Sequence, residues 1–336
     1  MVNFLITYFF INIYIYIHMT KDYSFRYTEP SCLYNEKNAR YMENFSNNDT
    51  ISKNYNHKEG RLLLTLILLF IMVLIIYLTT KDKYLLYSTI TLFISLIIYI
   101  ISKPIRLMYM ISFIIAKDNV TDPFLNKDIY FPNYERFEGN FDMIKKEIFD
   151  QISDEEILNK LLVTTGSTYM NDMIGIDDGW RIIPVKVGNV YKDNIRDYFP
   201  QICQILDECP EIVSCLISVL GPGKQIPIHV GYHKGFVRYQ LAVEIPEDGE
   251  TVPFMCVNGE KHTWVEGQGF LFDDTFPHKV YNPTTNRRIV FYMDVVRNCN
   301  SNFVDKLNKM FVYNVMNMGF IKKMIKKEVN NTEVQI

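Results

Sequence analysis

The sequence predicts a mainly β globular domain of the antiparallel sandwich or cupin-type jelly-roll kind, with flanking helices and a transmembrane helical hairpin before it. Two observations carry this. Short β-branched or aromatic runs recur after Trp180, at Val213–Leu220, Val237–Ile245, Pro253–Val257, Gly269–Phe272 and Arg288–Val295, with turn signals between them. In the first third, Leu62–Leu78 and Tyr84–Ser102 are uncharged over roughly 17 and 19 residues, each long enough at about 1.5 Å per residue to cross a hydrocarbon core of about 30 Å. Buried core helices rarely stay uncharged on every side for so long.

Length and composition set the frame. The 336 residues allow one domain of ordinary size plus further segments, and 48% hydrophobic residues suffice for a core. The net charge of −3 argues against nucleic acid as a partner. The six cysteines, Cys32, Cys203, Cys209, Cys215, Cys256 and Cys299, form no CxxC pair and are too sparse for a disulfide scaffold, so buried free thiols are expected.

Five regions follow along the chain. Residues 1–60 hold an apolar stretch, Val2–Ile17, and a polar arm; residues 61–102 form the hairpin around Thr79-Thr-Lys-Asp-Lys83, a turn too short to cross back. Residues 103–129 read as a linker with an interfacial segment at Ile105–Ala116, 130–298 as the globular domain, and 299–336 as a basic amphipathic tail suited to an anionic membrane surface or to packing on the domain. Basic residues flank both outer ends of the hairpin (Lys53, Lys58, Arg61; Lys103, Arg106, Lys117) against Lys81 and Lys83 in its turn, which places an integral membrane protein with its C-terminal domain in the cytosol. Phe141, Ile144 and Ile148 have helical spacing, and Asp154-Glu-Glu156 opens a second helix. Gly221-Pro-Gly223, Pro246-Glu-Asp-Gly249 and Asn258-Gly259 mark turns, the last a strong hairpin signal.

The strand region concentrates the polar chemistry. His229 and His278 sit at strand ends that a jelly roll brings together across its mouth. Arg288, Val290, Tyr292 and Asp294 share one face of an alternating strand, and an arginine there needs an anion, because an unpaired buried charge is costly. Its planar guanidinium suits a carboxylate. Arg238 and Gln240 share a face of their own strand, and Ser218 adds a hydroxyl; together these residues describe a site for a dicarboxylate on a metal. The competing reading is a set of internal ion pairs to Glu244, Asp273 or Asp294. Asp273 and Asp274 precede His278 as orienting groups or turn caps, and His233 and His262 read as loop residues.

The stretches Gly221-Pro-Gly-Lys-Gln-Ile-Pro-Ile-His-Val-Gly231, Lys234-Gly-Phe-Val-Arg-Tyr-Gln-Leu241, Trp264-Val-Glu-Gly267, Phe272-Asp-Asp-Thr-Phe-Pro-His278 and Arg288-Ile-Val-Phe-Tyr-Met-Asp294 resemble the aspartyl/asparaginyl β-hydroxylase family, which includes lipid A 2-hydroxylases. The resemblance covers roughly residues 131–297 and implies a double-stranded β-helix that binds Fe(II) and 2-oxoglutarate and uses O2. It implies His229 and His278 as iron ligands, Ser218 and Arg288 as the grip on the distal carboxylate of 2-oxoglutarate, and Trp180, Arg238 and Gln240 as residues lining the same co-substrate. Gln240 stands where the family usually has His; it can still donate a hydrogen bond but carries no charge. Gly231 stands where most non-heme Fe(II) oxygenases carry a ligating carboxylate, which this family also lacks. A halogenase, which would use that space for a halide, is the remote alternative. The implied reaction hydroxylates a C–H bond of a protein Asp/Asn side chain or of a lipid acyl chain in the bilayer; the alternative of another class is a catalytically silent membrane module that binds 2-oxoglutarate and metal.

Overall fold

A computed structural model describes residues 111–153 and 179–319 apart from 117, 120, 121, 230 and 232, with backbone alone at 227–229, together with scattered positions between 68 and 95 and at 322, 323 and 326. The readings of residues 1–60, and of the helix opened by Asp154, lie outside the described residues, as does most of the apolar hairpin. Its described positions, from Leu68 to Ser95, are all helical, and Leu74, Ile75, Tyr84, Tyr87 and Ile94 among them expose large apolar side chains. Among the described residues no helix is long and apolar enough to cross a membrane.

Among the described residues, eleven strands in two antiparallel sheets make up the domain. They are β1 (Phe124–Leu125), β2 (Trp180–Val187), β3 (Val190–Tyr191), β4 (Ile212–Leu220), β5 (Gln225–His229), β6 (Phe236–Glu244), β7 (Phe254–Val257), β8 (Glu260–Thr263), β9 (Gly269–Phe272), β10 (His278–Tyr281) and β11 (Arg288–Val296). The larger sheet runs β1-β9-β6-β11-β4-β2-β3 and the smaller β5-β10-β7-β8. From β4 onward the pairing is nested: β4 with β11, β5 with β10, β6 with β9, β7 with β8. That nesting of successive strand pairs is the jelly roll that the strand spacing predicts. The β7–β8 turn is Asn258-Gly259 with φ of 50° and 85°, the doubly positive geometry that makes this dipeptide a hairpin signal.

The period-2 pattern of the central strands divides two cores. Ile217, Val237, Tyr239, Leu241, Phe291 and Met293 point outward from the larger sheet under three helices, α1 (Tyr134–Gly139), α2 (Phe141–Ile152) and α3 (Pro200–Asp207). Phe137, Ile144, Ile148, Ile202 and Leu206 are the buried side of that helical layer. Helix α3 starts on a proline, and the buried Glu147 carboxylate accepts from the N–H groups of Gln201 and Ile202 at 2.9 and 2.8 Å, satisfying donors that a helix start leaves open. On the opposite face Leu220, Ala242, Phe272 and Val290 meet Ile226, Met255, Val257 and Val280 of the smaller sheet. This second core is the barrel interior, and it is the face that carries Ser218, Arg238, Gln240 and Arg288.

A third cluster joins Ile111 and Ile115 of a helical segment at residues 111–116 to Val213, Val296, Val304, Phe311 and Val312. The segment read from sequence as part of a linker thus packs on the domain. So does the start of the tail, a helix α4 (Asn302–Met310) capped by the Ser301 hydroxyl, followed by a π turn at Phe311–Val315. Its apolar side meets the sheet, the second of the two roles that its amphipathic pattern allows.

Candidate active site

The two histidines meet by register. His278, first residue of β10, is the direct antiparallel partner of His229, last residue of β5, and the ladder is irregular immediately after His278. Directly paired positions on one sheet face carry their Cβ atoms about 4.5–5.5 Å apart, a separation that two ligands of one metal ion use. The side chain of His229 lies outside the described residues. That of His278 is 2% exposed, with its ring against Phe272 and its Nδ1 2.9 Å from the carbonyl oxygen of Phe276. A carbonyl only accepts, so Nδ1 is the donor and the lone pair falls on Nε2, the tautomer of a ligand bound through Nε2. The backbone of Phe276 therefore does the orienting that the sequence suggested for Asp273 and Asp274.

Those two carboxylates have other partners. Asp273 is fully buried, paired with Lys234 and, at 2.5 Å, with Arg297 Nη2, and it accepts from the backbone and hydroxyl of Thr275. Burial by itself would raise its pKa, but Arg297 and Lys234 outweigh that and hold it at about 2. That lies below the ordinary value of 3.8, so the cluster stabilises the fold above about pH 4 and the contribution is lost as pH falls through about 2. Asp273→Asn is expected to lower the melting temperature at neutral pH and to flatten its fall between pH 4 and 2, a loss on the order of 2 kcal/mol read by thermal denaturation across pH.

Asp274 is raised to about 6 by burial, an effect that Arg238 opposes. Its carboxylate lies against Gly231: a Cβ at that position would come within 2.2 Å of Asp274 Oδ2. The volume that a side chain two residues after His229 would fill is thus taken by the carboxylate of Asp274. Arg238 spans Asp274 (Nη2 to Oδ2, 3.1 Å) and Asp294 (Nε to Oδ1, 2.9 Å) and stacks on Tyr292. The internal ion pairs weighed as the competing reading exist for this arginine, with Asp274 and Asp294 as partners.

Arg288 is different. It is 1% exposed, and its Nε, Nη1 and Nη2 have no hydrogen-bond partner among the described residues. Burial without a counterion pulls its pKa down to about 9. Its guanidinium lies 4.9 Å from the ring of Trp264, whose Nε1 donates to Gln240 Oε1 at 3.0 Å. Ser218, 3% exposed, accepts from Trp180 Nε1 at 2.9 Å, and Trp180 and Arg288 both pair in register with Leu220 of β4. A charged group with five donors, walled by indole and without an acceptor among the described residues, has the chemistry to take up an anion.

Residues 138–298 match the sequence profile described as aspartyl/asparaginyl β-hydroxylase. The domain belongs to this family. An ornithine lipid ester-linked acyl 2-hydroxylase from Rhizobium tropici is 24% identical over 205 residues, 60% of this chain and 68% of that protein. The human aspartyl/asparaginyl β-hydroxylase is 33% identical over 101 residues, 29% of this chain, and the chain spans only 13% of its length. The human aspartate β-hydroxylase domain-containing protein 2 is 37% identical over 82 residues, with 24% of this chain and 21% of that protein covered.

Measured against the expectations for this β-hydroxylase domain, the structure brings together Trp180 with Ser218 and opposes His229 to His278. It places Gln240 beside Trp264 under Arg288, and gives Arg238 to two carboxylates. Trp264 and the Phe276 carbonyl had no role assigned from sequence, although both stand inside the motif stretches. His262 lies on β8 rather than in a loop, with its ring 3.9 Å from that of Phe270, while His233 is a loop residue as expected, buried with Nδ1 2.8 Å from the Ser112 hydroxyl. Cys203, Cys209, Cys215 and Cys299 are free thiols as expected, but Cys256 is disulfide-bonded. Among the described residues no group of three or more His, Cys, Asp and Glu side chains is placed to hold a metal.

Proposed function

We propose that this chain is a membrane-anchored hydroxylase that uses Fe(II) and 2-oxoglutarate, with O2, to oxidise a C–H bond of a lipid acyl chain. The observation that carries the reading is the buried, unpartnered guanidinium of Arg288, which fits the distal carboxylate of a dicarboxylic co-substrate. The donor set fits the metal as well: two histidines at directly paired backbone positions, one of them, His278, with its tautomer fixed by a carbonyl. When bound, Fe(II) with 2-oxoglutarate and O2 supplies a two-electron oxidation that leaves one oxygen atom in the substrate and releases succinate and CO2.

Each protein group then has a defined task. His229 and His278 hold the metal, and Phe276 keeps the His278 ring in its ligating tautomer. Arg288 and Ser218 grip the distal carboxylate, while the Trp180 indole holds the Ser218 hydroxyl and directs its proton outward. Gln240, in place of the family's histidine, is engaged through its carbonyl oxygen by Trp264 and so supports the wall on which Arg288 rests. That contact needs no charge on residue 240, which supports turnover in spite of the substitution. Arg238 stays charged, because Asp294 and Asp274 more than offset its burial; it braces the carboxylate that faces Gly231.

A lipid substrate is favoured over a peptidyl Asp/Asn side chain by the apolar segments at 62–78 and 84–102, and by a relative matched over 205 residues that is named for acyl 2-hydroxylation. The test is mass spectrometry on lipid and on protein exposed to the full chain in bilayers with Fe(II) and 2-oxoglutarate. A gain of one oxygen on an acyl chain is the expected result. A gain on Asp or Asn side chains alone would assign the protein substrate. No gain on either, with co-substrate bound, would favour the silent binding module.

A further inference from the structure

Helix α4 carries apolar side chains on two sides, and the fold uses one of them. At 3.6 residues per turn, Val304, Asn308 and Phe311 fall within about 60° of one another. All three are buried, Val304 and Phe311 against Ile111, Ile115, Val213 and Val296. Phe303, Lys306 and Met310 fall in a similar arc about 130° away, and all three are exposed, Phe303 at 74% and Met310 at 49%. Met318, just beyond the π turn, is exposed as well, and so are Lys322 and Lys323. We propose that this outer face of α4, with the segment that follows it, docks on an anionic lipid surface, Phe303 and Met310 entering the headgroup layer and the lysines meeting lipid phosphates.

Charge and spacing select lipid as the occupant. Residues 302–327 hold six lysines and one acid, Asp305, which Lys309 pairs at 2.8 Å. Of the acids on neighbouring elements, Asp118 accepts from the backbone of Ser301, and Asp193 takes Lys326 at 2.9 Å. The outer face therefore stays positive. A protein interface wants a contiguous apolar centre and is depleted in lysine. Here the apolar side chains stand about two turns apart with Lys306 between them, the build of a helix that lies in a bilayer surface and gains from each lysine near anionic headgroups.

The same helix is fastened to the site region. The buried Asn308 amide donates to the carbonyl oxygens of Gly235 at 3.0 Å and of Arg297 at 3.2 Å. Gly235 lies in the loop between β5, which ends on His229, and β6, which carries Arg238 and Gln240. Lys234 of that loop and Arg297 both pair with Asp273. A lipid contact at α4 would thus hold the β5–β6 loop at a fixed position relative to the bilayer. The contact does not depend on the hydroxylase chemistry, so loss of lipid contact and loss of succinate release are separate results.

The apolar runs at 62–78 and 84–102 can hold the full chain to lipid of any charge, so the test reads the contact locally. The photo-crosslinking residue p-benzoylphenylalanine replaces Phe303 in the full chain, which is reconstituted in nanodiscs of phosphatidylcholine with or without phosphatidylglycerol, irradiated, and its peptides weighed. Lipid adducts on the peptide that holds position 303 are expected with phosphatidylglycerol present, and several-fold fewer without it. Combined Lys306→Glu, Lys322→Glu and Lys323→Glu, at exposed positions that leave the core intact, are expected to reduce the adducts by a similar factor. The same probe at Ile129, 65% exposed beside Asp128 on another face, is expected to give none. No lipid adduct at 303, equal adducts with and without phosphatidylglycerol, or equal adducts at 129 would overturn the proposal. Adducts at 303 to a second copy, or to another segment of this chain, would overturn it in favour of a protein occupant.

Discussion

Arg288→Met is expected to raise the melting temperature of the protein in the absence of co-substrate while abolishing its response to 2-oxoglutarate. The two effects have one cause. In the free protein the guanidinium is buried with none of its three nitrogens partnered, so a side chain of similar volume without charge removes a desolvation cost of about 1–4 kcal/mol. With 2-oxoglutarate present the same guanidinium gains a carboxylate in a low-dielectric site, a charge-assisted pair whose loss costs about 3–5 kcal/mol, or roughly 100- to 4,000-fold in affinity. Calorimetric titration of 2-oxoglutarate and thermal denaturation with and without it read both quantities. Arg288→Lys keeps the charge but not the planar fork, and is expected to recover only part of the affinity. Unchanged co-substrate affinity in the methionine variant would remove Arg288 from the site.

The second large effect concerns the metal. His278→Ala is expected to abolish Fe(II) binding and turnover together, with kcat falling by at least about 1,000-fold, as for loss of one of only two protein ligands. Binding of Mn(II) as a redox-silent probe, followed by its effect on the melting temperature, separates ligand loss from unfolding. The wild-type chain is expected to be stabilised by Mn(II), and the variant not at all. The 2-oxoglutarate affinity contributed by Arg288 should persist in weakened form, because Trp264, Gln240 and Ser218 are untouched. A variant that still answers to Mn(II) as the wild type does would assign the metal to other residues.

Much of this was legible in the chain. The five strand runs named from sequence coincide within a residue with β4, β6, β7, β9 and β11, because each is β-branched or aromatic on the face it buries. The strands that escaped lack that signal for particular reasons. β2 carries Pro184 at a bulge in its ladder with β4. β5 is interrupted by Pro227. β8, Glu260-Lys-His-Thr263, is a polar edge strand, and β10 is four residues long and begins directly after Pro277. Short or edge strands are held by backbone pairing to a neighbour, which a hydrophobic period does not record.

The site divides in the same way. That Arg288 needs an anion could be read from its place on a core-facing strand, and the structure adds that no carboxylate among the described residues meets the need. Arg238 has the same sequence signature yet finds Asp294 across the ladder on β11, its direct register partner, and Asp274 on the loop after β9. Nothing in the spacing distinguishes the two arginines; only the folded register does. The disulfide at Cys256 was equally hidden, because no CxxC or similar local spacing marks this cysteine.

The most direct test of the central claim is release of succinate from 2-oxoglutarate by the purified full chain in lipid bilayers, measured with Fe(II), without Fe(II), and with Arg288→Met. The wild type with Fe(II) is expected to release succinate at a rate that rises with acyl-lipid substrate, while the other two samples release none above background. Equal succinate in all three, or none in the wild type although it binds 2-oxoglutarate and metal, would contradict the assignment.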